Sequence, residues 1–314
     1  MARKLTIVAG ILFASAVLMG VAQRERYALY WADAKAAWSW ENPLCTRLAA
    51  FRGLVKARTV TARTGEILRT LRYVGEDPEG LFLYQTPDGD VWMPQRGDLW
   101  SLAVVLAEQE QEMYGHAGGL GVRQGDVVID AGAHVGLFTR TALAAGASKV
   151  IAFEVTPKAL LCMRRNFAKE IADGRVVVVD KGVWNEEAWL PLVIVEGCSV
   201  CNSVTHNMPA TIQVPLTTID HAMAELHIEH VDFIKLDIEN AEANALRGAA
   251  NTLRTSHPRL AVALENSKTR IEYAHEVQGV VQEAYDGYEY ECGACTNPEP
   301  GSRVLPEILH YYAR

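Results

Sequence analysis

Three kinds of apolar pattern divide the chain. Leu5 to Ala22 is a run of 18 residues without a charge, residues 43–74 place apolar positions at helical spacing among basic ones, and from residue 126 short apolar runs alternate with helix-period stretches. The last region predicts strands at Val127–Asp130, KVIAFEV (149–155), RVVVVD (175–180, read as fully buried), VDFIKLDIE (231–239) and LAVALEN (260–266). Between them LFTRTALAAGA, TPKALLCMRRNFAKEI, AEANALRGAANTLRTS and KTRIEYAHEVQGVVQEAYDG carry helical spacing. WLPLVIV and TIQVPLTT read as further extended runs, HAMAELHI as a short helix, and GYEYECG with VLPEILHYYA as a closing hairpin. Such alternation implies an α/β fold with a mostly parallel sheet and right-handed crossovers. Ahead of it, residues 80–96 predict a β-hairpin around Pro87-Asp88-Gly89, and residues 98–115 a helix ending at Gly115. Together they make a small N-terminal cap over the site (80–120), with Glu110 and Tyr114 on one face, pointing either inward or to solvent.

The N-terminal pattern predicts an appendage to that core. Arg3 and Lys4 precede the uncharged run and Arg24 and Arg26 follow it, so residues 1–24 read as a single transmembrane anchor, with a cleaved signal peptide as the rival reading. Tyr27, Tyr30, Trp31, Trp38 and Trp40 then stand where an interfacial aromatic belt would. Leu44, Leu48, Phe51 and Val55 fall at helical spacing, and residues 43–74 hold seven Lys or Arg against one acid, Glu66. Residues 25–79 are therefore expected to form a basic juxtamembrane segment lying on an anionic leaflet, with the catalytic domain on the cytoplasmic side. The alternative for those charges is the solvated face of an ordinary helix.

The chemistry gathers at residues 126–136, DVVIDAGAHVG. A buried strand ends in Asp130 and turns through Gly132, His134 and Gly136 into a helix, which is how doubly wound sheets build a nucleotide site. The glycines are spaced GxxxG, unlike the GxGxxG of a dinucleotide site, and an acid precedes the first. That pattern suits a ligand with an ammonium group and no pyrophosphate. Glu154, on the next strand, is placed to accept two ribose hydroxyls, and Asp180 closes the strand after it. Asp130 and Glu154, acids on the first and second strands, together describe S-adenosylmethionine.

VVIDAGAHVG, KVIAFEVTPKAL and VDFIKLDIENAEANALRGA resemble the three signature stretches of FkbM-type S-adenosylmethionine-dependent methyltransferases. The resemblance runs from about Gly80 to the C-terminus. It implies a Rossmann-like methyltransferase domain over residues 80–314 that methylates a hydroxyl of a saccharide, lipid-linked glycan or small-molecule acceptor. His134 stands where the family usually has Asn, and Asn240 where it has Gly; Asn tolerates the left-handed conformation. Lys235, Asp237 and Glu239 alternate on the fourth strand, so Asp237 is expected to open onto the transfer site, with Glu239 beside it. A carboxylate there can take a hydroxyl proton if its pKa is raised; the alternative is that Asp237 only holds the cofactor's amino group or caps the following helix.

Four of six cysteines form two CxxC pairs, Cys198/Cys201 and Cys292/Cys295. Two pairs meeting in space would make a structural zinc site; ordinary thiols and redox pairs are the other readings, and Cys45 and Cys162 read as packing residues. The net charge of −8 argues against nucleic acid as a partner. A non-catalytic Rossmann-like binding or assembly module at the membrane is the competing function class.

Overall fold

The computed structural model describes residues 28–38, 44–115, 119–205, 209, 212–264, 270–296 and 304–314. In chain order these form α1 (28–38), α2 (Arg47–Leu68), β1 (Arg72–Glu76), β2 (Phe82–Thr86), β3 (Gly89–Met93) and α3 (Leu99–Glu110). The central elements are β4 (Val127–Ala131), α4 (Leu137–Ala144), β5 (Lys149–Phe153), α5 (Pro157–Asn166), α6 (Ala168–Ala172), β6 (Val176–Val179), β7 (Gly182–Val183), β8 (Ala188–Leu192) and β9 (Ile212–Thr217). The C-terminal half adds α7 (Ile219–Glu225), β10 (Phe233–Leu236), α8 (Glu242–Arg247), α9 (Ala250–Ser256), β11 (Arg259–Ala263) and α10 (Arg270–Ala284). It closes with β12 (Tyr288–Cys292), β13 (Cys295–Thr296), β14 (Leu305–Pro306) and β15 (Ile308–Ala313).

Seven strands make the main sheet in the order β12-β15-β11-β10-β4-β5-β6. β15 is antiparallel to both its neighbours and the pairings from β11 to β6 are all parallel. The strand direction of connection reverses between β4 and β10, and such a switch point opens a crevice at the strands' carboxyl ends. β4, β10 and β11 are apolar along almost their whole length because helices cover both faces. RVVVVD, expected to be fully buried, is instead the sheet's edge: β6 has one neighbour strand, and only Val176 of its four valines is buried. The runs around residues 190 and 214 do not extend the main sheet either; β8 and β9 pair with β7 in a separate three-stranded sheet. The predicted hairpin is present as β2 and β3, turning at Gly89 with φ 104°, and β1 adds a third strand.

α2 belongs to the folded body. It starts at Thr46, whose Oγ1 accepts the Ala49 amide at 3.2 Å, and it packs on α3 and β13. The face it buries is Ala50, Gly53, Leu54, Val60, Thr64 and Ile67, offset from the stripe of larger apolar residues on which the membrane-surface reading rested; Leu48 remains exposed. Small residues are selected because the approach is close: a Cβ on Gly53 would lie 2.6 Å from Cys295 Sγ. Three of the basic residues meet protein partners, Arg58 with Asp33, Arg63 with Glu66 and Glu110, and Lys56 with the Glu112 carbonyl. Among the described residues no helix is long and apolar enough to cross a membrane. The run Leu5–Ala22 and the aromatic residues Tyr27 and Trp40 lie outside them.

Candidate functional site

A cavity of about 370 Å³ opens at the carboxyl ends of β4, β5 and β10 and is roofed by α3 and by the loop around Ser199. The glycine turn forms one wall. Gly132 (φ 75°) and Gly136 (φ 92°) hold left-handed backbone that a side chain resists. They are also positions of contact: a Cβ on Gly132 would sit 2.0 Å from the Asp237 carbonyl oxygen, and one on Gly136 2.1 Å from the Phe167 ring. The first contact lets the β4 and β10 loops touch at the switch point. Gly136 then caps α4. His134 also takes the left-handed conformation (φ 51°), as do Glu239 and Asn240 (φ 55° and 71°), so both positions where the sequence departs from the family pattern carry the backbone that Asn or Gly would favour.

Glu154 stands just beyond β5 and ties two loops together. Its Oε2 accepts the His134 amide at 2.8 Å, and its Oε1 accepts the Val155 and Thr156 amides at 2.9 and 2.7 Å. It lines the cavity with Gly132 and His134. Asp130 does not. It is fully buried behind the turn, accepting from Thr139 Oγ1 at 2.7 Å and pairing with Lys235 Nζ at 3.4 Å, so its part is to hold the turn and not to touch a ligand in the cavity. Asp180 is exposed and pairs with Arg164 at 3.4 Å, away from the cavity lining.

The floor is a set of carboxylates around one cation. Lys235 Nζ lies 3.4 Å from Asp130 and 3.7 Å from Asp237 and donates to the Gly132 carbonyl at 2.9 Å. Burial alone would push its pKa down, but Asp130, Asp237 and Glu108 raise it above the ordinary value. Asp237 lines the cavity, and its Oδ2 accepts the Tyr114 hydroxyl at 2.7 Å. Glu239 also lines the cavity; burial, then Asp237 and Glu242, push it up to about 8. Glu108 from α3 reaches the same level through burial, Asp237 and Glu307. Behind them Glu242 is buried and raised by that burial to about 7, although it accepts from Tyr273 at 2.6 Å and from the Ile238 amide at 2.9 Å.

Sequence reading paired Glu110 with Tyr114 on one helical face, and the structure separates them. α3 stops at Glu110, and the following turn, with Glu112 at φ 53°, sends Tyr114 inward while Glu110 meets Arg63 outside. Two further contributors carried no signal: Asp98, which accepts the Ser199 amide at 2.7 Å, and Ser199, whose Oγ is 2.9 Å from His134 Nε2. They fasten the roof loop to the turn. Burial depresses the His134 imidazole, against Glu154 and Asp98.

The raised carboxyls set a pH dependence of stability. Each binds its proton in the folded chain where the unfolded chain has released it, so their stabilising share is complete below the usual carboxylate range and is lost as pH rises through it toward 8. Urea midpoints are expected to fall between about pH 5 and pH 8, and the fall should be shallower in Glu242→Gln. His134, depressed by burial, works the other way below the usual histidine range, so it is a midpoint that rises between about pH 6.5 and pH 8 that contradicts the burial of these carboxyls.

The zinc reading of the cysteines is not supported. Among the described residues no group of His, Cys, Asp or Glu could hold a metal ion, and the two CxxC pairs do not meet. Cys198 and Cys201 are disulfide-bonded to each other in the roof loop, whereas Cys292 is joined to Cys45 at the far edge of the sheet. Cys295, the second cysteine of that CxxC, is buried and packed on Gly53. Cys45, read as a packing residue, is thus a cross-link.

A mostly parallel seven-stranded sheet with a glycine turn, a carboxylate just past the second strand and an acid-lined crevice at the switch point defines a methyltransferase-like α/β protein. Residues 130–290, just over half of the chain, match the model of the methyltransferase FkbM domain, and the chain belongs to that family. An FkbM methyltransferase from Methylobacillus flagellatus KT is similar in structure at a TM-score of 0.46 and 15% identity, over 70% of this chain and 56% of that one. The chain therefore spans little more than half of that protein's length. A Streptococcus mutans protein described as a methyltransferase, solved in complex with SAH, aligns at a TM-score of 0.37 and 14% identity over 62% of this chain and 91% of its own. A precorrin-6y C5,15-methyltransferase from Geobacter metallireducens GS-15 aligns at 0.36 and 15% over 68% and 86%. No curated protein sequence matches the chain.

Proposed function

We propose that the chain transfers a methyl group from S-adenosylmethionine to a hydroxyl oxygen of a saccharide, lipid-linked glycan or other small-molecule acceptor. The observation that carries the reading is the acid lining of the cavity: among the described residues Glu108, Glu154, Asp237 and Glu239 stand on its wall with one cation, Lys235, and a cationic ligand would draw the raised Glu108 and Glu239 carboxyls toward ionisation. Such a wall repels phosphates and attracts a ligand bearing sulfonium and ammonium charges. The residues fit that ligand: Gly132 puts bare backbone on the cavity wall, and Glu154 lines it just past the second parallel strand, where a carboxylate can accept ribose hydroxyls.

S-adenosylmethionine supplies a methyl group on sulfur; its transfer breaks the sulfur–carbon bond, forms an oxygen–carbon bond and leaves the hydroxyl proton for a base. Asp237 and Glu239 are the candidate bases. Asp237 meets Lys235 and Tyr114, while Glu239, raised to about 8 by burial, is better matched to a proton transfer near neutrality. Alignment of donor and acceptor in the cavity supplies much of the remaining rate. Carboxyls held ready at the switch point favour this enzyme reading over a non-catalytic module at the membrane.

Glu154→Ala is expected to weaken S-adenosylhomocysteine binding at least about tenfold, since charge-assisted hydrogen bonds contribute about 1.5 to 3 kcal/mol each. Unchanged binding by calorimetry would remove Glu154 from the site. A mass screen of saccharide and lipid-linked acceptors with the cofactor present tests the transfer itself, through the gain of one methyl group.

We place the domain on the cytoplasmic face of a membrane entered by Leu5–Ala22, supported by the flanking basic residues and by supply of the methyl donor there. An exported domain is the second reading, favoured by the two disulfides, which persist mainly in oxidising compartments. Protease access from each face of sealed membranes separates the two.

A further inference from the structure

α3 presents a stripe to the cavity that the cofactor reading leaves unused. Trp100, Val104 and Glu108 stand at successive i, i+4 positions, with Val105 and Gln109 alongside, and all five line the cavity. The polar end is unsatisfied. Among the described residues the buried Gln109 Nε2 has no hydrogen-bond partner and no protein group hydrogen-bonds the Glu108 carboxyl. The other end is flat and open, Trp100 being 59% exposed. From Trp100 to Glu108 the helix rises about 12 Å, at about 1.5 Å per residue. Buried donors and acceptors are normally paired, so an unpaired donor beside an unpaired carboxyl at the head of an apolar track describes half of a contact.

We propose that α3 is the acceptor-binding wall and that it takes an amphiphilic alcohol: neighbouring hydroxyls at Glu108 and Gln109, an apolar body along Val104 and Val105, and its far end on Trp100. This rests on the methyltransferase reading and narrows it. A hydroxyl donating to Glu108 while its neighbour accepts from Gln109 satisfies both groups, and a free sugar would leave the valines and Trp100 uncovered. The groups facing Glu108 are Asp237, Glu307 and Lys235; two acids and one lysine disfavour an anionic head group, and an ammonium head group would offer no acceptor to Gln109 Nε2, so a neutral polyol fits both groups. The raised proton affinity of Glu108 lets it serve as donor or acceptor near neutrality.

The test uses hexyl β-D-glucopyranoside and methyl β-D-glucopyranoside as probes, titrated into the full chain saturated with S-adenosylhomocysteine and followed by saturation-transfer NMR. The hexyl glycoside is expected to bind at least about tenfold tighter, because each buried methylene contributes about 0.8 kcal/mol. Glu108→Ala and Gln109→Ala should each weaken it about fivefold, in line with the loss of one hydrogen bond. Trp100→Ala should cut the hexyl advantage, and Glu110→Ala, on the outer face, should change nothing. Equal binding of the two probes, no binding of either, or indifference to Glu108→Ala overturns the proposal. S-adenosylhomocysteine affinity, measured in the same samples, separates that outcome from failure of the methyltransferase reading: if it persists, only the acceptor wall is wrong.

Discussion

Gly132→Ala is expected to abolish S-adenosylhomocysteine binding, and the comparison with Gly125→Ala shows why. Both glycines hold positive φ, 75° and 90°, so each alanine incurs a strain of about 1–2 kcal/mol. At Gly125 a Cβ meets nothing within 4 Å, whereas at Gly132 it meets the Asp237 carbonyl oxygen at 2.0 Å. That oxygen is backbone and cannot swing away, so the turn and the β10 loop must separate. His134 then moves off Glu154, and Asp237 off Lys235 and Tyr114. Gly125→Ala should lose about 1–2 kcal/mol of stability with cofactor affinity intact; Gly132→Ala should lose more than about 2 kcal/mol together with more than about a hundredfold in affinity. Equal effects of the two variants in calorimetry and urea unfolding would show that the loop contact does not matter.

The second large effect concerns Cys45 and Cys292. Their disulfide closes a separation of 247 residues and ties the chain just before α2 to the end of β12. In the chain-entropy account a cross-link over about 100 residues is worth about 4.7 kcal/mol, and measured values are commonly about 2–4. A Cys45→Ser/Cys292→Ser variant is therefore expected to lose about 3 kcal/mol, read as a lower urea midpoint, with cofactor affinity unchanged because neither residue lines the cavity. Cys198 and Cys201 are only three residues apart, so their bond constrains the unfolded chain little. Breaking it should leave the midpoint almost in place and loosen the roof loop, visible as faster amide exchange around Ser199. A wild-type chain with six reactive thiols after denaturation would contradict both cross-links.

The parts of this site that local pattern encodes were readable. A run such as VVID followed by Gly132 and Gly136 has few folds open to it, and Glu154 follows from the length of one strand–helix–strand unit. Asp237 was placed by period-two alternation on β10. What escaped reading depends on contacts distant in sequence. The carboxylates Asp130 and Asp180 looked equivalent to Glu154 because each ends a strand, yet only packing decides that Asp130 lies beneath the turn and Asp180 at an exposed edge. Glu108 and Gln109 look like solvent-facing residues at the end of a helix until the cavity is seen below them. The cysteine spacing suggested two CxxC pairs joined by a metal, left as thiols or bonded within each pair, and nothing local could show that Cys292 turns away from Cys295 toward Cys45. α2 was misread for a similar reason: its buried face is made of small residues, and hydrophobic spacing weighs large ones.

The central claim is that the crevice between β4, β5 and β10 binds S-adenosylmethionine. Its most direct test is a calorimetric titration of the wild-type chain with S-adenosylhomocysteine, repeated with S-adenosylmethionine in competition. The account predicts saturable binding at one site per chain, shared by the two ligands and lost in Gly132→Ala but not in Gly125→Ala. Absence of binding by a folded wild-type chain, or binding that Gly132→Ala leaves untouched, would contradict it.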